Sequence, residues 1–109
     1  MNEVSANSIA RVRENLFLHR GQLTETEAAQ LAGVSTSRFR HAFKHLAHVS
    51  FRTARLQAKL AHGAELLKNS TLTVNEISGL LGYSDRTKFE KSFKKINGLT
   101  PTVYRRLHL

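Results

Sequence analysis

The sequence predicts an all-α domain, and three observations carry that prediction. Only one Pro and six Gly interrupt 109 residues. Apolar residues recur at steps of three and four rather than two, which is helical spacing. A segment beginning at Leu23 is written again from Leu72, so the chain holds an internal repeat. At this length there is room for one domain of ordinary size or two very small ones, which excludes a large multidomain enzyme.

Ser5 to about His19 reads as an opening amphipathic helix, because Ile9, Val12 and Leu16 form one stripe while Arg11, Arg13, Glu14 and Arg20 point elsewhere. Gly21 and Gln22 break it. Thr24-Glu25-Thr26-Glu27 is a capping box, which starts a second, short helix ending near Leu31. Ala32-Gly33-Val34 is a tight turn in which Gly33 can close a helix, and Ser35 is placed to cap the next. There Phe39, Ala42, Phe43 and Leu46 share one face, leaving Ser37, Arg38, Arg40, His41 and Lys44 for solvent or a ligand. A longer helix follows over about 51–68, with Leu56, Leu60, Gly63 and Leu67 as its stripe and the role of a spacer. Then Thr73-Val74-Asn75-Glu76 forms a second capping box, Leu81-Gly82-Tyr83 a second turn and Ser84 a second cap.

The two copies align closely. Leu23-Thr24, Glu27, Gly33 and Ser35 match Leu72-Thr73, Glu76, Gly82 and Ser84 at an offset of 49. Past the turn the offset becomes 50: Phe39, Phe43-Lys44, Val49 and Ser50 match Phe89, Phe93-Lys94, Leu99 and Thr100. The second copy therefore carries one extra residue early in its third helix. In each copy the residue four before the turn glycine, Ala29 or Ser78, is small, as it must be beneath a crossing helix. Such a helix-turn-helix leaves its second helix free to enter a DNA major groove. The helix between the copies, at ~1.5 Å per residue, spans roughly 27 Å, comparable to the ~34 Å between successive groove faces.

Charge points to the same partner class. There are 17 Lys and Arg against 8 Asp and Glu, a net charge of +9, which suits a polyanion, either nucleic acid or an anionic membrane surface. The chain has no Cys, so a disulfide framework and a thiolate metal site are excluded. Neither a signal peptide nor a run of about 18 apolar residues is present, so a soluble, cytoplasmic protein is expected. His41, His45 and His48 have helical spacing, but no Cys or nearby carboxylate completes a ligand set, and no metal or other cofactor is expected. Without a phosphate-binding glycine loop, an HExxH pair or a nucleophile elbow, enzyme is the least supported class.

The second copy carries the most specific pattern. Ile77-Ser78-Gly79-Leu80-Leu81-Gly82-Tyr83-Ser84-Asp85, then Phe89, Phe93-Lys94-Lys95, Gly98, Thr100-Pro101 and Tyr104-Arg105, resemble the DNA-binding domain of the AraC/XylS family of bacterial transcription regulators. The resemblance covers residues 5 to 107. It implies seven helices, two helix-turn-helix subdomains (1–50 and 69–109) joined by a long linker helix (51–68), and sequence-specific binding beside a promoter, often with contact to RNA polymerase. It also implies activation rather than repression. Small stand-alone members have this length. His48, Ala54, Lys59 and Lys88 depart from the family pattern, and the first copy is the weaker match.

By that resemblance the base-facing positions are Ser37, Arg40 and His41 in the first copy, and Arg86, Thr87 and Lys91 in the second. Arg38, Lys44, Lys88 and Lys94 suit phosphates by charge and position. A solvated cationic helix face is the plain alternative, but its recurrence on the equivalent helix favours DNA contact. Glu90 shares the second face, where it either accepts from a cytosine amine or pairs with a neighbouring Lys; pairing is the expectation. Phe39, Phe43, Phe89 and Phe93 could be stacking platforms for single-stranded bases, but their spacing puts them in the core. The expected partners are double-stranded promoter DNA, bound as a monomer, and RNA polymerase. A bound protein of this kind sits on the nucleoid, whereas the rival reading is a non-specific architectural nucleic-acid binder.

Overall fold

The computed structural model describes residues 4–109. Seven α-helices follow one another in these residues: α1 Ala6–Leu18, α2 Glu25–Ala32, α3 Thr36–Ala47, α4 Phe51–Asn69, α5 Val74–Leu80, α6 Arg86–Asn97 and α7 Pro101–Leu107. They make two compact units, one ending at Ala58 and one covering Lys59–Leu109.

In the first unit, Ser5 caps α1 by accepting from the Ser8 amide at 3.1 Å, and Ile9, Val12 and Leu16 are buried, as their spacing requires. The capping box of α2 is reciprocal: the Glu27 amide donates to Thr24 Oγ1 at 3.1 Å and the Thr24 amide to Glu27 Oε1 at 2.9 Å. Gly33 ends α2 with φ +73°, a left-handed conformation that lets the Val34 amide reach back to the Ala29 carbonyl at 3.1 Å. Ser35 then caps α3. Phe39 and Phe43 are fully buried, and Phe51 meets both edge-on, with centroids 5.4 and 5.5 Å away.

Leu46 departs from its expected place, being 37% exposed. The buried seam of α3 runs at steps of four through Phe39 and Phe43 to Ala47, which packs against the core. Leu46 is left on the rim. α3 ends on His48, which holds φ +63°. Its counterpart at the end of α6 is Gly98, at +78°.

The second unit repeats this plan with one shift. The Thr73–Glu76 box closes with both bonds at 3.0 Å, Ile77 and Ser78 are buried, and Gly82 takes φ +86°. The cap of α6 is Asp85, not Ser84 as the alignment expects: Asp85 Oδ1 accepts from the Lys88 amide at 2.9 Å. The extra residue of the second copy therefore lies in the turn, so α3 and α6 both have twelve residues at a uniform offset of 50. Ser78 is small enough to sit under α6, and its hydroxyl donates to the Asp85 carbonyl at 3.2 Å.

The residues expected to form a spacer are packed at both ends. Phe51, Ala54 and Ala58 belong to the core of the first unit, while Leu60, Gly63 and Leu67 are buried in the second. Leu56, expected on the stripe, is only half-buried, because Ala54 and Ala58 carry the contact there. A Cβ on Gly63 would lie 2.9 Å from Leu81 Cδ1 and 3.4 Å from the Phe89 ring, so this glycine admits a close approach of the turn and α6.

Candidate nucleic-acid interface

α3 and α6 each turn an aromatic face inward and a cationic one outward. On α3 the anchors are Phe39 and Phe43, and on α6 Phe89 and Phe93, all with no exposed area. A helix pinned by residues i and i+4 presents the opposite side to solvent. On α3 that side holds Ser37, Arg38, Arg40, His41 and Lys44, all exposed; on α6 it holds Arg86, Thr87, Lys88, Lys91 and Lys94, also all exposed. The ten predicted site residues thus gather into two faces, one per unit. Each follows a short helix and a left-handed glycine.

The two faces differ in detail. An open concavity on α3 is lined by Arg40, His41, Lys44 and His45, which adds His45 to the residues expected from the sequence. Arg40 makes a two-pronged contact with the first residue of α2: Nη2 donates to Glu25 Oε1 at 2.7 Å and Nε to Glu25 Oε2 at 3.2 Å. The Arg40 hydrogen bond holds the Glu25 carboxyl below its ordinary pKa, and Glu25 in turn raises that of Arg40. At the uniform offset of 50, the counterpart of Arg40 is Glu90, so the same helical position bears opposite charges in the two units.

Glu90 does pair, but with Arg86 rather than with a lysine: Arg86 Nε lies 3.3 Å from Glu90 Oε1. They are i and i+4 on one helix face, where their side chains meet directly. Lys88 donates from Nζ to Ser84 Oγ at 3.1 Å, so the residue expected as a cap instead holds a lysine near the start of α6.

Two arginines to which the sequence assigned no site role position the supporting helices. Arg55 Nε donates to the Gly21 carbonyl at 2.9 Å, tying the start of α4 to the end of α1. Arg105 Nε donates to the Leu67 carbonyl at 3.0 Å and Nη2 to the Ser70 carbonyl at 3.3 Å, tying α7 to the end of α4. They are also 50 residues apart, a signal that extending the alignment past Thr100 would have exposed.

Among the described residues, no group of three or more His, Cys, Asp or Glu is placed to hold a metal ion. No helix there is long and apolar enough to cross a membrane.

Comparison with known proteins agrees with this geometry. Residues 28–107 match the family model of a helix-turn-helix domain. The HTH-type transcriptional regulator GlxA of Rhizobium meliloti is 32% identical over 84 residues, which make up 77% of this chain and 26% of that protein. The chain spans less than a third of the length of such curated relatives. The C-terminal domain of AraT, a response regulator from Geobacillus stearothermophilus, superposes with a TM-score of 0.78 at 28% identity, over 97% of this chain and 88% of that one. The DNA-binding domain of AdpA, a global transcriptional factor solved in complex with a target DNA, has the same fold, with a TM-score of 0.75 at 22% identity over 91% of this chain and 90% of that one. The chain belongs to the helix-turn-helix domain family, in the AraC/XylS form of that domain.

Proposed function

We propose that the chain is the DNA-reading part of a transcription regulator, with α3 and α6 as recognition helices that enter successive major grooves of a promoter. The observation that carries this reading is the repeated outward face: two twelve-residue helices, each pinned by a buried Phe pair, present exposed cationic and hydroxyl side chains that match at Ser37 and Thr87, Arg38 and Lys88, His41 and Lys91, and Lys44 and Lys94, though not at Arg40 and Glu90. A solvated surface has no reason to recur in register on the same element of each unit, whereas a protein reading two grooves needs it twice.

In this reading Ser37, Arg40, His41, Arg86, Thr87 and Lys91 reach base edges, where Arg and Lys suit guanine and the hydroxyls either base type. Arg38, Lys44, Lys88 and Lys94 neutralise phosphates, fixing register without carrying sequence information. With both reading helices in one chain, a monomer suffices. Activation through contact with RNA polymerase, in the cytoplasm on the nucleoid, completes the proposal.

The test is selection from randomised duplexes, followed by titration of the winning site at two salt concentrations. A bipartite motif whose halves lie about one helical turn apart, preferred by at least ~10³ over random duplex, is the expected result. A single short element would reduce one unit to a phosphate clamp. No preference would replace this reading with an architectural binder.

A further inference from the structure

The Arg40–Glu25 pair is placed where a stabilising ion pair has little to do. The Arg40 side chain is 62% exposed and that of Glu25 31%, conditions under which such pairs add little to folding. Yet the geometry is ordered. Glu25 is the first residue of α2, fixed there by the reciprocal Thr24–Glu27 box, and its carboxylate grips Arg40 through Nη2 and Nε together. A guanidinium has two edges able to form paired, parallel hydrogen bonds. Glu25 takes the Nε–Nη2 edge, which leaves the terminal Nη1–Nη2 edge with both of its outward hydrogens available. That edge matches guanine O6 and N7 in the major groove.

We propose that Glu25 is a positioning residue for Arg40, holding its guanidinium so that the terminal Nη1–Nη2 edge reads one guanine in the half-site of the first unit. This rests on α3 being a recognition helix. The second unit has no such device. Glu90 occupies the position of Arg40, and its partner Arg86 is on the same helix, with Nε 3.3 Å from Glu90 Oε1. The guanine requirement set by a buttressed arginine therefore belongs to the first half-site only. A long arginine that samples many rotamers loses entropy on docking, and the carboxylate removes much of that loss before DNA arrives. The cost is a negative charge close to the backbone of the DNA, so Glu25 trades general affinity for discrimination.

The experiment measures binding of the full chain to its selected site and to the three single-base variants at each position, for wild type, Glu25→Gln, Arg40→Ala and the double variant. Gln keeps the shape of Glu25 but removes its charge and one of its two acceptors. Expected for Glu25→Gln is a roughly tenfold loss of guanine preference at one position, with affinity for random duplex unchanged or increased. Expected for the double variant is the same base profile as Arg40→Ala alone. A base profile unchanged by Glu25→Gln, or a further loss in the Arg40→Ala background, would overturn the proposal while leaving the recognition helix in place. If wild type itself prefers no sequence, the reading of α3 fails, and this proposal with it. Helical content and melting of each variant are read alongside, since both side chains lie at the surface and the fold should persist.

Discussion

His48 shows how one residue can carry a local cost that its counterpart avoids. It closes α3 at φ +63°, where a side chain bearing a Cβ is strained, whereas Gly98 closes α6 at +78° without penalty. His48→Gly should therefore stabilise the first unit by a few tenths to about 1 kcal/mol, the gain being reduced by the greater freedom of glycine in the unfolded chain. Gly98→Ala should destabilise the second by about 1 kcal/mol. Urea midpoints at constant m-value would check both. Among the proposed contacts, Arg40→Ala and Lys91→Ala should each weaken binding to the selected site by about ten- to a hundredfold and relax specificity in different half-sites. Equal losses on selected and random DNA would make them phosphate contacts. The outward faces of the candidate site were readable in the sequence because helical period sends them opposite the phenylalanines, while the base-facing assignments within them came from the family resemblance. Their partners were not, because Glu25 lies on a different helix and only folding brings it to Arg40.

At the scale of the element, capping decides where α3 and α6 begin. Asp85→Ala should cost about 1 kcal/mol by removing the bond to the Lys88 amide, and Ser84→Ala much less, although alignment to Ser35 favours Ser84 as the cap. Thermal melts of the two variants distinguish these assignments. The two boxes also confer a pH dependence. The Glu27 and Glu76 carboxylates each accept from the backbone amide of the capping Thr three residues earlier, Thr24 or Thr73, and that bond, with the Thr hydroxyl beside it, lowers both carboxyl pKa values below the usual 4.5. A group depressed in the folded state contributes stability that is complete above its unfolded value and fades as the pH falls below it. The melting temperature should therefore drop between about pH 5 and pH 3. A Glu27→Gln, Glu76→Gln double variant should start lower at neutral pH and drop less; equal slopes would mean the boxes contribute nothing at acid pH.

For the whole molecule, the repeat is larger than the matched letters suggest. Phe51, Ala54 and Arg55 in α4 stand 50 residues before Pro101, Tyr104 and Arg105 in α7, while Ile9, Val12 and Leu16 in α1 stand 51 before Leu60, Gly63 and Leu67 in the second half of α4. Each unit is thus a four-part set, and α4 ends one set and begins the next. The charge of +9 acts at this scale. Binding should weaken steeply as salt rises, and Lys44→Ala should lower affinity alike on all sequences while reducing the log–log salt slope by about 1. An unchanged slope would remove Lys44 from the phosphate contacts.

The sequence alone determined the helices, the two capping boxes, the turn glycines, the aromatic anchors and the outward cationic faces. These depend on local period, on turn glycines and on cap residues within a few positions of each other. Only the tertiary structure decided that α4 is shared, since equivalent places are filled by unlike residues, Val12 by Gly63 and Phe51 by Pro101, so that shape is kept where identity is not. It also decided that Asp85 rather than Ser84 starts α6, that Leu46 lies on the rim, and that Arg40 is held by Glu25 across 15 residues. Each of these depends on which surfaces come within reach once the chain has closed on itself, a distance that spacing along the chain does not encode.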